Sequence, residues 1–84
     1  MYDIRLTKRV ERQLLKSVPE VQVRLQLAID ALAKNPRPDG VKKLKGKDNQ
    51  YRIRVGDYRI IYTIEDQKLL IVVVQLGARS DVYQ

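Results

Sequence analysis

Residues 51–62, with the sequence YRIRVGDYRIIY, predict a β-hairpin. Apolar and charged residues alternate on both sides of Gly56-Asp57, which is a two-residue turn signal. Such a turn fixes the strand register and therefore places Arg54 directly opposite Arg59. One face of the hairpin then holds side chains that can pack against helices: Tyr51, Ile53, Val55, Tyr58, Ile60 and Tyr62. The other face, called the arginine face below, holds Arg52, Arg54, Arg59 and Ile61.

The segments before the hairpin predict one strand and two helices. Residues 2–6 alternate apolar and polar, which is typical of a short, half-buried strand. Thr7 can then cap a helix over about residues 8–16. A capping box at residues 17–20, with proline in the first turn, predicts the start of a second helix, which Asn35-Pro36 ends. Its buried stripe is predicted to consist of Val21, Leu25, Ala28, Ile29 and Leu32.

Three strands are predicted after the helices, at about residues 51–55, 58–64 and 69–76, with the last turn around Asp66-Gln67. The expected fold class is α+β: an N-terminal strand, a two-helix hairpin and a three-stranded antiparallel β-meander, in the order β-α-α-β-β-β. The helices should cover one face of the sheet. The 84 residues should form a single domain spanning 1–84.

Charge indicates a polyanionic partner. Seventeen Lys and Arg against ten Asp and Glu give a net charge of +7 and an isoelectric point near 9.9. The segment between the second helix and the hairpin is predicted to be a basic loop that contacts RNA or the ribosome. Its cations are Arg37, Lys42, Lys43, Lys45 and Lys47.

The arginine face has two possible interpretations. Directly opposed like charges cost a few tenths to about 1 kcal/mol, so folding alone would not favour Arg54 opposite Arg59, and a bound phosphate would explain the pair. The alternative is an ordinary solvated sheet face. The third meander strand is predicted to add apolar residues to this face, forming a groove or a surface covered by the chain's own terminus or loop: Leu70, Val72, Val74 and Leu76.

Composition excludes most familiar catalytic sites. The chain has no cysteine and no histidine, which removes disulfides, thiol nucleophiles, the commonest general base and the commonest metal ligand. We expect neither a metal nor a small-molecule cofactor. The sequence has no long apolar run and no secretory signal, so we expect a cytoplasmic protein without a membrane partner.

Three segments together resemble the RelE branch of the RelE/ParE toxin superfamily: Leu44-Lys45-Gly46, residues 51–62, and residues 77–83 with the sequence GARSDVY. The resemblance covers essentially the whole chain. It implies a toxin of a type II toxin–antitoxin pair that cleaves messenger RNA in the ribosomal A site without a metal. In that reaction the RNA 2′-hydroxyl attacks the adjacent phosphate. The implied partners are the ribosome, mRNA and a cognate RelB-like antitoxin.

The resemblance also implies which residues act. The positions that match the functional set of the family are Arg52, Arg54, Arg59, Arg79 and Tyr83. Several relatives carry lysine where this chain has Arg52 and Arg54, and others carry histidine at Ala78. A guanidinium is a poor general base, so the proton acceptor is left open among Lys45, Lys47 and Tyr83. Two other functions stay open: a ParE-like toxin that binds DNA gyrase, and a non-catalytic RNA-binding or ribosome-binding module.

Overall fold

The computed structural model describes residues 1–46 and 48–78 as two helices and a five-stranded mixed sheet. The helices are α1 (Lys8–Lys16) and α2 (Pro19–Ala31). The strands are β1 (Asp3–Leu6), β2 (Lys42–Lys43), β3 (Gln50–Val55), β4 (Tyr58–Glu65) and β5 (Leu70–Ala78). Across the sheet they lie in the order β1-β5-β4-β3-β2.

The helix starts follow from local chemistry, with one correction. Thr7 caps α1 as predicted, because its hydroxyl accepts a hydrogen bond from the Val10 N–H at 3.3 Å. The predicted capping box at residues 17–20 was wrong. Ser17 ends α1 and donates its hydroxyl to the Gln13 carbonyl at 3.0 Å, so Val18 precedes α2 and Pro19 occupies its first turn.

Both helices pack on one face of the sheet, as predicted. The predicted stripe of α2 faces the core, where Leu25 and Ile29 are fully buried. Val10 and Leu14 contribute the buried residues of α1. The sheet supplies Ile53, Ile60, Tyr62, Ile64, Ile71, Val73 and Leu76 to the same cluster. Burial of this apolar surface provides the main stabilisation of the fold.

Two features of the sheet differ from the predicted meander. The N-terminal strand β1 pairs in parallel with β5, through Ile4 opposite Ile71, so the sheet is mixed and β5 has neighbours on both sides. A short strand, β2, lies where only a basic loop was predicted, with Lys42 opposite Arg52. Two lysines carry no apolar alternation, so this strand is specified by its partner β3 and not by its own sequence.

A β-bulge changes which residues of β5 face the helices. The β4–β5 register shifts between Ile61 and Tyr62, leaving Val74 as the extra residue on β5. Leu76 therefore pairs with Ile60 and lies in the core, 2% exposed, so its predicted position on the arginine face was wrong. Leu70 and Val72 precede the bulge and lie on the arginine face as predicted, opposite Glu65 and Thr63.

The turns set the ends of the strands. Gly56 has φ of +61° at the first central position of the predicted two-residue turn, which fits the glycine preference of a type II′ hairpin. The predicted turn around Asp66-Gln67 is a short 3-10 helix over Asp66–Lys68. Leu69 follows it with φ of +50°, so β5 begins at Leu70, one residue later than expected.

The segment that leads from α2 to β2 is tied to the core by Tyr62. Its ring is completely buried, and its hydroxyl donates a hydrogen bond to the Pro36 carbonyl at 2.6 Å. Burial raises the pKa of this hydroxyl to about 12, so it remains a donor throughout the physiological range. The bond fixes the path of the chain as it enters the next loop.

We expect Tyr62→Phe to lower the free energy of unfolding by about 1–2 kcal/mol, because it keeps the buried ring and leaves the Pro36 carbonyl without its donor. Urea unfolding followed by circular dichroism measures the change. Tyr58→Phe is the matched control, since the Tyr58 hydroxyl has no hydrogen bond to any described residue, and it should change stability by less than about 0.5 kcal/mol. Equal effects of the two substitutions would show that the hydrogen bond is not the anchor.

Candidate functional site

The arginine face has the register that the sequence predicted. Arg54 lies opposite Arg59, and Arg52 lies opposite Ile61. In a hairpin with a two-residue turn, the second pair counted from the turn, here Arg54 and Arg59, is a non-hydrogen-bonded pair. The Cα atoms of such a pair are typically about 4.5 Å apart. The strands therefore hold two guanidinium groups next to each other on the side of the sheet away from the helices.

Two of these arginines are buried. Arg52 is 4% exposed and Arg59 is 5% exposed, whereas Arg54 is exposed. Within residues 1–46 and 48–78, the buried Nε of Arg52 has no hydrogen-bond partner. A buried N–H without an acceptor typically costs about 1–3 kcal/mol, and more when the group is charged. The Nε of Arg52 is therefore a buried, unsatisfied donor beneath a cationic surface.

Two depressions meet at Arg54. The larger, here called the arginine cleft, has a volume of about 320 Å³ and is lined by Asp39, Gly40, Lys42, Arg52 and Arg54. The smaller, here called the turn pocket, has about 60 Å³ and is lined by Arg54, Gly56, Asp57, Tyr58 and Arg59. Binding sites for small organic groups begin at about 300 Å³, so the arginine cleft is large enough for part of a nucleotide.

The predicted lysines do not share one location. Lys42 pairs with Arg52, shares its face and lines the arginine cleft. Lys43 pairs with Tyr51 and so lies on the helix side at the edge of the sheet. Lys45 is exposed in the turn after β2. Three predicted site residues, Lys47, Arg79 and Tyr83, lie outside the described residues.

Arg37 lies on the other side of the sheet from the arginine face. Its guanidinium forms an ion pair with Asp66 at 3.0 Å and donates to the Tyr51 hydroxyl at 3.3 Å. It also lies 5.1 Å from the centre of the Tyr51 ring. Tyr2 donates its hydroxyl to the same carboxylate at 2.5 Å. The structure thus engages Arg37 in an intramolecular network and does not bring it together with Arg52, Arg54 and Arg59.

Sequence reasoning missed some residues of the face because their positions depend on distant pairings. The bulge in β5 brings Gln75 opposite Ile61, and Gly77 lies opposite Arg59. Asp39 and Gly40 reach the arginine cleft from the loop after α2. The Pro38-Asp39-Gly40 sequence is a turn signal that could have indicated a fixed position for the carboxylate, but not its cationic neighbours.

The arrangement suits recognition of a phosphate. Guanidinium groups donate paired, charge-assisted hydrogen bonds to phosphate oxygens and hold them in a fixed orientation. Opposed strands fix the spacing between Arg54 and Arg59, so neither side chain needs a flexible loop to reach the ligand. The same groups cannot accept a proton, because arginine stays protonated.

The family model described as the ParE toxin of the type II toxin–antitoxin system, parDE, matches residues 4–83. The chain therefore belongs to this family, and within the RelE/ParE superfamily it is a RelE-type toxin.

The relatives support the RelE branch. The toxin RelG of Mycobacterium tuberculosis is 26% identical over 99% of this chain and 97% of its own length. The crystal structure of the archaeal RelE–RelB complex from Pyrococcus horikoshii matches with a TM-score of 0.84 and 29% identity, over 96% of this chain and 98% of the other. The isolated E. coli RelE toxin matches with a TM-score of 0.81 and 26% identity, over 99% and 92%. Within the described ranges, no helix is long and apolar enough to cross a membrane.

We expect Arg54→Gln to raise the free energy of unfolding by a few tenths to about 1 kcal/mol, because it removes the repulsion from Arg59 across the strand pair. Urea unfolding at low salt measures the gain. Because the repulsion is electrostatic and Arg54 is exposed, the gain should shrink as salt is added. A loss of stability that does not depend on salt would contradict this description of the pair.

The Arg37–Asp66 network predicts a pH dependence. Hydrogen bonds from Arg37, and then from Tyr2, hold the pKa of the Asp66 carboxyl below its ordinary value of 3.8. A lowered pKa in the folded state stabilises the protein above pH 3.8, and this contribution is lost as the pH falls through the folded value. The stability difference between the protein and Asp66→Asn should therefore be largest near neutral pH and vanish in acid.

Urea unfolding across a pH series measures this difference, and Arg37→Gln provides the control background. Without the guanidinium, Asp66→Asn should show a smaller pH dependence, since the principal cause of the lowered pKa is gone. An unchanged pH dependence in that background would mean that Arg37 does not stabilise the carboxylate.

Proposed function

We propose that the chain is a ribosome-dependent messenger RNA endonuclease, which inhibits translation by cutting the message in the A site. The observation that carries the proposal is the buried Arg52, whose Nε has no acceptor among the described residues, beside the opposed pair Arg54 and Arg59. Three guanidinium groups on one rigid surface are costly for folding and useful for binding consecutive phosphates. The net charge of +7 supports attraction to RNA over a longer range.

The proposed reaction is a phosphoryl transfer within the RNA, in which the 2′-hydroxyl loses a proton and the 5′-oxygen gains one from water. The RNA 2′-oxygen forms a bond to the adjacent phosphorus, and the bond from phosphorus to the 5′-oxygen breaks. The products are a 2′,3′-cyclic phosphate and a free 5′-hydroxyl. Charge on the non-bridging oxygens rises in the transition state, where Arg59 and Arg54 would bind them. Arg52 would fix the phosphate in line for attack, since positioning can contribute a large part of the rate.

The roles proposed for Arg79 and Tyr83 rest on the sequence alone. Arg79 would stabilise charge at the leaving oxygen, and Tyr83 would stack on a base that is splayed out of the message. Lys42 lines the arginine cleft and would contact a neighbouring phosphate. Lys43, Lys45 and Lys47 would contact ribosomal RNA outside the cleft.

A cognate antitoxin is the proposed protein partner. The similar structures from Pyrococcus horikoshii and Mycobacterium tuberculosis are toxin–antitoxin complexes, the first with RelB as the antitoxin. A RelB-like protein would neutralise this chain by covering the arginine face. An acidic or amphipathic segment would complement the arginine face, where the half-buried Leu70 and Val72 also lie.

Inhibition of DNA gyrase is the rival function. It is supported by the description of the matching family as a ParE toxin. A supercoiling assay separates the two. We expect supercoiling to continue at stoichiometric toxin while translation stops. Inhibited supercoiling with intact translation would replace the nuclease proposal.

We expect Arg59→Ala and Arg54→Gln each to slow cleavage by roughly 10²–10³-fold, the usual cost of removing one donor to transition-state charge. Both should also relieve growth arrest in cells. Cut sites on a defined message, translated in vitro with and without ribosomes, measure the reaction directly. Arg54 is exposed, so its substitution should leave the fold intact.

Arg5→Gln is the matched control for both variants. Arg5 is exposed and pairs with Val72, so it lies on the same side of the sheet as the three arginines but at the far edge. It removes the same charge and should leave cleavage almost unchanged. If Arg5→Gln is as slow as Arg54→Gln, the sheet acts through overall charge and has no defined phosphate site.

A further inference from the structure

The arginine cleft contains one carboxylate, Asp39, among three cations, and the proposed reaction lacks a proton acceptor. The cations of the cleft are Lys42, Arg52 and Arg54. For binding RNA alone, a carboxylate in this position is unfavourable, because it repels the phosphates that its neighbours attract. Asp39 is exposed and forms no ion pair with another described residue, so its carboxylate is available for a role in the chemical step.

Asp39 is held on a tightly fixed turn. The Val41 N–H donates to the Pro38 carbonyl at 3.1 Å, and Gly40 has φ of +85°, which together define a type II turn with Asp39 at its second position. Glycine after Asp39 suits this turn type, which needs a positive φ at its third position. The carboxylate is thus presented by backbone geometry and does not depend on a mobile loop.

Both ends of the turn are anchored to the sheet. Before it, the Pro36 carbonyl accepts from Tyr62, and Arg37 binds Asp66 and Tyr51 on the helix side. After it, Val41 packs against the core. Lys42 then pairs with Arg52 in the sheet. Arg37 therefore helps to anchor the start of the turn from the helix side.

Other carboxylates are less suitable. Asp66 is engaged by Arg37 and Tyr2, and Glu65 lies 3.7 Å from Lys68 in a salt bridge. Asp57 lines the turn pocket, but that pocket has about 60 Å³ against about 320 Å³ for the arginine cleft. A space of about 60 Å³ admits water molecules or phosphate oxygens but is too small for a ribose.

We propose that Asp39 accepts the proton of the attacking 2′-hydroxyl. This inference rests on the proposed nuclease function and deepens it. The 2′-oxygen forms its bond to phosphorus while its proton passes to the Asp39 carboxylate. The bond to the 5′-oxygen breaks with its electron pair, and that oxygen takes a proton from water. Asp39 then releases its proton to solvent, so the enzyme returns to its starting state.

A carboxylate suits this role because it is an acceptor in its ordinary ionised form, whereas lysine and arginine carry their protons at neutral pH. Lys42 and Arg54 would bind the phosphate, and Asp39 would accept the proton of the attacking oxygen. The cleft would thus combine the two requirements of the reaction: cations for the phosphate and one anion for the proton.

The test compares Asp39→Asn with the unchanged protein in single-turnover cleavage on programmed ribosomes. The variant keeps the size of the side chain and loses the acceptor. We expect the maximal rate to fall roughly 10²–10⁴-fold, the usual contribution of a general base. The toxin concentration that gives half the maximal rate should stay the same or fall, because a negative charge has left an RNA-binding cleft. Asp39→Glu should retain part of the rate.

A second substrate distinguishes the base from a group that acts at the leaving oxygen. A message with sulfur in place of the 5′-bridging oxygen has a leaving group that needs no proton. Asp39→Asn should remain equally impaired on this message. Recovery of the rate would move Asp39 to the leaving-group side and overturn the assignment.

Asp3→Asn is the matched control, since Asp3 pairs with Leu70 on the same side of the sheet at its far edge, and its rate should not change. Asp57→Asn tests the rival carboxylate, and a loss of rate there with a normal Asp39→Asn rate overturns the inference. If the unchanged protein cuts and Asp39→Asn cuts equally fast, this inference alone fails. If the unchanged protein leaves the message intact, the proposed function fails as well.

Discussion

The two-residue turn at Gly56-Asp57 is the constraint on which the rest of the structure depends. It sets Val55 opposite Tyr58, and every later pair of β3 and β4 follows from that step. Because side chains alternate between the faces of a strand, a slip of one residue would send Arg52 and Arg54 into the core and Ile53 out of it. Core packing and the cationic site are therefore fixed by the same register. A change that weakened the turn would disturb both.

This shared register explains why the arginine face can lower the free energy of unfolding without disrupting the fold. Opposed arginines lower stability by a few tenths to about 1 kcal/mol, and a buried Nε without an acceptor by about 1–3 kcal/mol. On the other side of the same strands, Ile53, Ile60 and Tyr62 are buried with the helices. Their packing opposes any slip that would relieve the repulsion. The helix side of the sheet thus holds the cations in an arrangement that they would not adopt alone.

Local signals carried most of the predictions that the structure confirmed, although the capping box at residues 17–20 was a local signal and was wrong. Pairings between strands account for the corrections to the sheet. The β3–β4 hairpin could be read from 12 consecutive residues, 51–62, because turn and alternation agree. The parallel partner of β1 lies at the other end of the chain. The bulge at Val74 and the strand β2 depend on pairing with a neighbouring strand, which their own residues do not signal. Arg37 shows the same limit for the site. Its charge suggested RNA, whereas its neighbours Asp66 and Tyr51 come from other elements.

The two kinds of group in the arginine cleft come from structurally different sources, and this has a physical reason. The arginines take their positions from strands whose register the hairpin turn fixes, so they hold the phosphate in a constant place. A proton acceptor must lie within hydrogen-bonding distance of one oxygen, so it needs a position set on its own. The turn that carries Asp39 provides this, because Tyr62 and Arg37 anchor it from the opposite side of the sheet. The position of the carboxylate is thus set by the loop after α2, and the positions of the arginines are set by the hairpin.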